Sequence, residues 1–398
     1  MLSNIALALT LSSLAVAAPG PITKRWTESS ANCRTFYADV EASTDSNLDL
    51  ASVLGGPPAN QQVLVQSTVD QFTVGSTIMA QISNASKIDV EGTYSLWFEY
   101  CEPKQGAPKG IFQTHHGLVG NAGYWNVLLD GRTDNSFAES AAAAGWATLS
   151  YDRLGVGRSA KPDGTNVVQI SFEAAQSVAI SQMLREGSLH DLGSFDTIVG
   201  VGHSYGSNLL TGVASTAPDA FDALVLTGFT ANSTNGPLGL FAFQSTIASV
   251  AYPARFSADA NDYVITPSVS NDQTGFFHFG SYPNYTQSAL DKFTTTKGEY
   301  TLGQQNSIAG PLALDRSNFT KPVFVVTGEN DAPFCAANCY VTSLGDGQTQ
   351  LDTARDLYPS VSNFSTYVVA ASGHGINFHT TAYEAYQQII NFVSAQGL

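Results

Sequence analysis

The pentapeptide Gly202-His203-Ser204-Tyr205-Gly206 decides how the middle of this chain folds. It stands between the apolar run Thr197–Val201, typical of a buried strand, and the helical pattern Ser207–Ala214. Glycine at each end lets a sharp turn close without Cβ clashes and leaves Ser204 at its tip. The pattern therefore predicts a strand, a tight turn and a helix, with a serine at the head of the helix.

Short apolar runs bounded by glycine alternate with longer helical patterns on both sides of this turn. Such alternation is the signature of a mostly parallel sheet with helices on its faces, so the predicted fold class is α/β. Helices are predicted at Ser171–Arg185 and in the C-terminal segment, and a β-like stretch at Tyr94–Tyr100 predicts an antiparallel edge. The predicted strands are Ile111–Thr114, Trp146–Tyr151, Thr197–Val201, Ala223–Leu226, Val323–Val326 and Thr366–Val369.

The interval from Thr230 to Lys321 interrupts this alternation, because it is far longer than an ordinary crossover between strands. It is rich in aromatic residues, among them Phe276 and Phe277, which could line a site or simply form the interval's own core. We interpret residues 230–321 as a cap insertion. The core would then comprise residues 26–229, including an N-terminal β extension, and residues 322–398.

The N-terminus predicts secretion. Ile5–Ala18 is an apolar, small-residue run too short to span a bilayer, which indicates a signal peptide over residues 1–18. The dibasic pair Lys24-Arg25 resembles a processing site of the fungal secretory pathway, so residues 19–25 are interpreted as a propeptide. No later apolar run reaches the length of a transmembrane helix.

Cysteines and glycosylation motifs point to the same compartment. Four cysteines are compatible with two disulfides, and of the three possible connectivities we favour Cys33 with Cys101 and Cys335 with Cys339. A metal site is disfavoured, because Cys335 and Cys339 lack a second close thiol or histidine pair. Five Asn-x-Ser/Thr motifs would have to lie on the surface to be glycosylated. They are at Asn84, Asn232, Asn284, Asn318 and Asn363.

The net charge of −16 excludes one broad class of partner. A surface this negative repels phosphate backbones, so nucleic acid is not expected as a ligand. A small molecule is the expected partner.

A serine hydroxyl is a poor nucleophile near neutral pH, so Ser204 needs a base to accept its proton. His374 fits best, because Ser372-Gly373-His374-Gly375 follows the strand Thr366–Val369 and precedes the terminal helix. A loop there can project an imidazole over the edge of the sheet. His379, near the start of that helix, is the alternative.

The base in turn needs a carboxylate to hold its tautomer. Asp331 lies just past the end of the strand Val323–Val326, where α/β sheets collect functional side chains, and Glu329 competes with it. The chain order Ser204, Asp331, His374 differs from the orders in chymotrypsin-like and subtilisin-like proteases.

These motifs together resemble the α/β-hydrolase superfamily, in its alpha/beta hydrolase-1 branch, over about Gly110 to Val393. The stretch His115–Gly120 is similar to the family's HG-containing loop, which implies that the backbone N–H groups of Leu118 and Tyr205 hold an oxyanion. Asp152–Ser159 is similar to a structural loop of the family that lines the pocket.

Two residues near the HG-containing loop are further candidates for substrate contact. These are His116 and Trp125, and the latter is as well explained as a core tryptophan.

The expected chemistry is acyl transfer to water with no metal or organic cofactor, on an apolar or aromatic ester or lactone. A serine peptidase of the same fold is an alternative, and it would want acidic residues in the cap to capture a substrate amine. Asp259, Asp262 and Asp272 are available there. A secreted binding protein that has lost turnover is the alternative from another class.

Overall fold

The computed structural model describes residues 28–232, 236–277 and 284–398. The predicted signal peptide (1–18) and propeptide (19–25) lie outside the described residues, as do His278, Phe279 and Tyr282 of the aromatic-rich interval.

Eleven strands are described, eight of them in one sheet. In chain order they are β1 (Ala31–Leu48), β2 (Lys87–Pro103), β3 (Ile111–His115), β4 (Ala147–Asp152), β5 (Ile198–His203), β6 (Ala223–Thr227), β7 (Thr246–Ile247), β8 (Tyr263–Ile265), β9 (Tyr300–Thr301), β10 (Val323–Gly328) and β11 (Phe364–Val369). The large sheet has the order β1-β2-β4-β3-β5-β6-β10-β11, and β7-β8-β9 form a small antiparallel sheet.

The helices are described in the same order. They are α1 (Leu50–Leu54), α2 (Gln61–Phe72), α3 (Ile78–Ser83), α4 (Phe137–Ala143), α5 (Ile170–Glu186), α6 (Tyr205–Thr216), α7 (Gly236–Phe243), α8 (Ala248–Ala251), α9 (Pro253–Phe256), α10 (Val269–Asp272), α11 (Gln287–Thr296), α12 (Leu302–Ser307), α13 (Ala332–Cys335) and α14 (Ala382–Ala395). No helix in these ranges combines the length and the apolar composition needed to cross a bilayer.

The predicted α/β class is confirmed. Strands β3, β4, β5, β6, β10 and β11 run parallel, and every residue of β3, β5 and β6 is buried. Because both faces of these strands are hidden from water, β5 and β6 are near-continuous apolar runs rather than alternating ones, whereas the second half of β3 is polar and buried. Helices α5 and α6 pack against each other, as do α4 and α14, and they complete the layers around the sheet.

The N-terminal extension is a long antiparallel hairpin, of which the sequence predicted only the stretch Tyr94–Tyr100. β1 pairs with β2 from Ala31 opposite Pro103 to Leu48 opposite Lys87, and α1 to α3 lie between the two strands. The sequence did not predict β1 because most of its residues are polar and its buried positions are few and separated by exposed ones. The structure forms both favoured disulfides, Cys33–Cys101 across this hairpin and Cys335–Cys339.

The segment between β6 and β10 holds α7 to α12 and the small sheet. Many of its aromatic rings pack together, and Phe243, Phe276, Phe277 and Phe293 are all buried in the main core cluster. These rings therefore belong to the same core cluster as the residues of the large sheet. The assignment of residues 230–321 as a separate cap domain stays a prediction.

Candidate active site

Ser204 occupies the strand-to-helix turn that the sequence predicted. β5 ends at His203, α6 begins at Tyr205, and Ser204 between them has φ 55° and ψ −115°. A positive φ is costly for a residue with a Cβ and persists only where surrounding structure imposes it. Here the Ser204 N–H donates to Thr227 O at 2.9 Å, and the Ser204 carbonyl accepts from Ser207 and Asn208 N–H.

Glycine is required on both sides of Ser204 because backbones approach closely. A Cβ on Gly206 would lie 2.1 Å from His115 O, and one on Gly202 would lie 2.5 Å from Gly206 O. A Cβ on Gly117, in the loop after β3, would lie 3.0 Å from Ser204 Cβ. The turn and the His115–Gly120 loop are thus in direct contact.

His374 and Asp331 form a buried pair. His374 Nδ1–H donates to Asp331 Oδ2 at 2.6 Å, and neither side chain is exposed. Asp331 caps α13, since its Oδ1 accepts from Phe334 N–H at 2.9 Å. Both carboxylate oxygens are therefore engaged, which holds the imidazole with Nε2 as its free acceptor.

The competing carboxylate, Glu329, lies elsewhere. Its Oε2 accepts from Ala371 N–H at 2.8 Å, so it supports the turn after β11 instead of the imidazole. The choice between the two, open in the sequence, is made by the position of the loop that carries His374. That loop crosses the end of β10 so closely that a Cβ on Gly328 would lie 2.3 Å from Gly373 O.

The alternative histidine, His379, is hydrogen-bonded to the loop that carries His374. Its Nε2 accepts from Gly373 N–H at 3.1 Å and its Nδ1–H donates to Gly375 O at 3.0 Å. Burial lowers the pKa of His379. With both ring nitrogens occupied, it is placed to position His374 and has no nitrogen to offer to Ser204.

His203 is a neighbour of the pair that the sequence did not indicate. Its ring stacks on Tyr124 with centroids 4.4 Å apart and lies 4.7 Å from the ring of His374. Nδ1 is 3.1 Å from Thr227 Oγ1. The pKa of His203 is well below its usual range because of burial first and the nearby His374 second.

Ser204 and His374 are not hydrogen-bonded to each other in this structure. His374 Nε2 is buried with no partner among the described residues, and so is His203 Nε2. Ser204 is 8% exposed, whereas Asp331 and His374 are fully buried. Bonds between a nucleophile and its base are often long without substrate and tighten when it binds, so the absence of this bond is compatible with the pairing expected from the sequence.

Of the two backbone N–H groups expected to hold an oxyanion, that of Tyr205 directly follows Ser204, and that of Leu118 follows Gly117, which approaches Ser204 closely. Leu118 N–H and Tyr205 N–H find no acceptor among the described residues. Tyr205 heads α6, whose first N–H groups have no partner within the helix. Both donors are therefore free.

The two residues proposed for substrate contact have other partners. His116 is buried, with Nδ1 2.8 Å from Gly117 O and Nε2 accepting from Arg153 N–H at 3.1 Å, which leaves no ring nitrogen free. Trp125 is 1% exposed and packs against Tyr124 and Phe137. It is a core tryptophan in this structure.

Sequence reasoning missed a buried ion pair at the site. Arg153 Nη1 lies 2.5 Å from Glu173 Oε1, and Glu173 Oε2 accepts from Tyr205 Oη at 2.5 Å. The only signal in the sequence was an arginine and a glutamate inside apolar segments, which is unusual unless they are paired.

One groove among the described residues lies away from the candidate site. It has a volume of about 900 Å³ and lies where β1 and β2 meet α5, lined by residues such as Asp45, Lys87 and Ile170. None of the three triad candidates borders it.

One group of metal-ligand side chains occurs among the described residues, Cys33 with Glu99 and Cys101. The two thiols are joined in a disulfide, so they are not available as thiolate ligands.

The glycosylation candidates differ in exposure. Asn84 and Asn318 are exposed, whereas Asn232, Asn284 and Asn363 are half-buried. The Nδ2 atoms of Asn232 and Asn363 donate to Gln350 and Gln396.

Comparison with models of protein families shows the family to which this chain belongs. Residues 114–341, more than half of the chain, match the model of the alpha/beta hydrolase fold. The chain belongs to the alpha/beta hydrolase family. The match begins in β3 and includes the HG-containing loop, the Ser204 turn and Asp331, while His374 lies beyond it.

Solved structures similar to this alpha/beta hydrolase are distant. A thermophilic esterase from Thermogutta terrifontis is 13% identical, with 76% of this chain and 94% of that chain covered and a TM-score of 0.48. The enol-lactonase from Burkholderia xenovorans is 13% identical, covering 76% and 97%, with a TM-score of 0.47. A monoacylglycerol lipase from Paleococcus ferrophilus is 14% identical, covering 75% and 98%, with a TM-score of 0.47. Values this low carry no argument about function, and no curated protein matches the chain significantly.

The buried histidine before the HG-containing loop yields a prediction about stability. Burial, with a smaller contribution from Arg153, lowers the pKa of His115 to about 3. The unfolded chain therefore binds a proton here that the folded chain does not between about pH 6.5 and pH 3. On this account the free energy of unfolding falls by about 1.4 kcal/mol for each unit that pH falls in this window.

The change His115→Gln removes this titration and keeps a side chain that can bond to Ser177. The free energy of unfolding of both proteins is measured by urea unfolding at pH 6 and pH 4. As pH falls over this range, we expect the value for the variant to decrease by about 1.4 kcal/mol per pH unit less than the value for the wild type, which is the difference expected for one proton. Equal slopes for the two proteins would contradict the assignment of a neutral, buried His115.

Proposed function

We propose that this alpha/beta hydrolase is a secreted serine hydrolase that cleaves a carboxylic ester or lactone of an apolar or aromatic small molecule through an acyl-enzyme. The observation that carries the proposal is the buried 2.6 Å bond between His374 and Asp331, with the ring of His203, the residue before Ser204, 4.7 Å away. A neutral imidazole held in this way by a carboxylate is the base that a serine nucleophile requires.

In the proposed reaction, Ser204 Oγ attacks the carbonyl carbon while His374 Nε2 takes its proton. The Leu118 and Tyr205 N–H groups stabilise the negative oxygen, a contribution of about 3–4 kcal/mol for one such donor. His374 then gives its proton to the leaving alcohol, and water repeats the sequence on the acyl-enzyme. Asp331 keeps Nε2 as the acceptor and stabilises the imidazolium that forms.

Aromatic side chains around His374 support an apolar or aromatic substrate. The ring centroids of Phe334 and Phe276 lie 5.7 and 5.8 Å from that of His374, and Phe243 stacks on Phe276. The acidic residues that would suit a peptidase are engaged otherwise. Asp259 pairs with Lys161, Asp272 pairs with Lys297, and Asp262 accepts from Thr165. This arrangement favours an ester over a substrate with a free amine.

Secretion is supported by the two disulfides, which persist in oxidising compartments. The sequence of residues 1–25 supports it independently.

The nucleophile can be tested directly. We expect a fluorophosphonate probe to label the wild-type protein, because the probe phosphorylates an activated serine, and we expect Ser204→Ala to abolish the label. Ser207→Ala is the matched control, since Ser207 lies in the same helix with its hydroxyl bonded to Thr227 O. A wild-type protein that stays unlabelled would favour the ligand-binding alternative.

The base can be distinguished from its neighbour. His374→Ala should lower kcat by at least about 10⁴-fold, because it removes the imidazole that Asp331 holds with Nε2 free to accept the proton of Ser204. His379→Ala should lower the melting temperature and keep kcat within about tenfold, since His379 only supports the loop. The reverse pattern would reassign the base to His379.

Substrate class can be measured on a matched panel. We expect p-nitrophenyl butyrate and benzoate to have higher kcat/KM than alanine p-nitroanilide. We also expect Phe334→Ala to lower kcat/KM for the benzoate more than for the butyrate, because a ring contact is lost. Faster turnover of the anilide would replace the esterase proposal with the peptidase one.

A further inference from the structure

The buried pair Arg153–Glu173 joins the two chain segments that supply the free backbone donors. The side chains are only 1% and 2% exposed. Arg153 Nε donates to His116 O at 3.1 Å, and Glu173 Oε2 accepts from Tyr205 Oη. Buried charges are stable only when paired and fully hydrogen-bonded, so this arrangement tolerates little displacement. The HG-containing loop and the start of α6 are thus both hydrogen-bonded to the Arg153–Glu173 pair.

The Gly117 carbonyl is held by three donors. They are His116 Nδ1 at 2.8 Å, Gly120 N–H at 3.3 Å and Arg153 Nη2 at 3.4 Å. This carbonyl belongs to the same peptide unit as Leu118 N–H. In a planar trans peptide the C=O and N–H bonds point in opposite directions. Fixing the Gly117 oxygen on one side therefore directs the Leu118 N–H to the other.

The tautomer of His116 is determined by its neighbours. Arg153 N–H can only donate, so His116 Nε2, 3.1 Å away, must carry a lone pair. The proton of the neutral ring is then on Nδ1, where it donates to Gly117 O. Burial first, and the Arg153 charge second, hold the pKa of His116 well below its usual range, so the ring stays neutral.

We propose that His116 and Arg153 are positioning residues that fix the Gly117–Leu118 peptide with its N–H free to receive the oxyanion formed at Ser204. The inference rests on the proposed function. It replaces substrate contact by His116 with an action through the backbone. If the peptide rotated, the Gly117 carbonyl would present its lone pairs where the negative oxygen develops, and the transition state would be repelled rather than stabilised.

The effect should be confined to the transition state. A substrate's neutral carbonyl gains little from Leu118 N–H, so loosening the peptide should lower kcat and leave KM almost unchanged. Removing a whole oxyanion donor costs about 10²–10³-fold in kcat, which is the upper limit for misdirecting one.

The test compares His116→Leu, which removes both ring bonds, with His116→Asn, whose Nδ2 can still donate to Gly117 O. We expect His116→Leu to lower kcat on a p-nitrophenyl ester by about 10- to 100-fold with KM within about twofold. Its affinity for a trifluoromethyl ketone, which forms an oxyanion on Ser204, should fall by a similar factor. His116→Asn should recover most of both losses.

The matched control is Gln113→Leu, in the strand that precedes the loop. It removes a buried side chain whose Nε2 donates to Ser177 O at 3.0 Å and does not contact the Gly117 carbonyl. It should destabilise the fold comparably and leave the ratio of ketone affinity to KM unchanged. Equal losses in His116→Leu and Gln113→Leu, or no rescue by His116→Asn, would overturn the inference while Ser204-dependent turnover by the wild type still stands. A wild type without turnover or labelling would overturn the proposed function and this inference together.

Discussion

The turn at Ser204 depends on backbone segments approaching at separations that only glycine permits. Gly206 faces the His115 carbonyl where a Cβ would lie 2.1 Å away, and His115 pairs with Gly202 across β3 and β5. Because β3 and β5 are neighbours and parallel, the loop that follows β3 must rise beside the turn that follows β5. The contact between Gly117 and Ser204 follows from this strand order.

Many polar groups near the turn have hydrogen-bond partners, but some buried atoms there have none in the part of the chain that the structure describes, among them Nε2 of His203 and Oδ1 of Asn208. Arg153, Glu173, His116 and Asp331 each use their polar atoms on named partners, which rigidifies the surrounding loops. By contrast, Nε2 of His374 has no partner among the described residues. An unpaired buried acceptor costs free energy. Among the unpaired atoms, proton transfer is proposed at Nε2 of His374, because Asp331 holds this imidazole by its Nδ1.

The segment between β6 and β10 is connected to this centre by charge as well as by aromatic packing. Lys161, after the Asp152–Ser159 loop, pairs with Asp259 and Glu299, and Glu299 also accepts from Gly157 N–H. Phe276 from the same segment reaches the ring of His374. The segment therefore contacts both the loop after β4 and the loop that carries His374. These contacts limit how far the segment can shift relative to Ser204.

Local pattern determined much of this protein from sequence alone. The buried parallel strands, the helix Ile170–Glu186 and the turn at Ser204 were predicted within a few residues, because an apolar run or a glycine-bounded serine depends mainly on its own neighbours. Only the tertiary structure decided that Asp331 rather than Glu329 meets His374, that His116 bonds to backbone, and that the polar strand β1 joins the sheet. Each of those outcomes depends on residues far apart in the chain, whose contacts exist only after the sheet has assembled and the loops at its edge have packed.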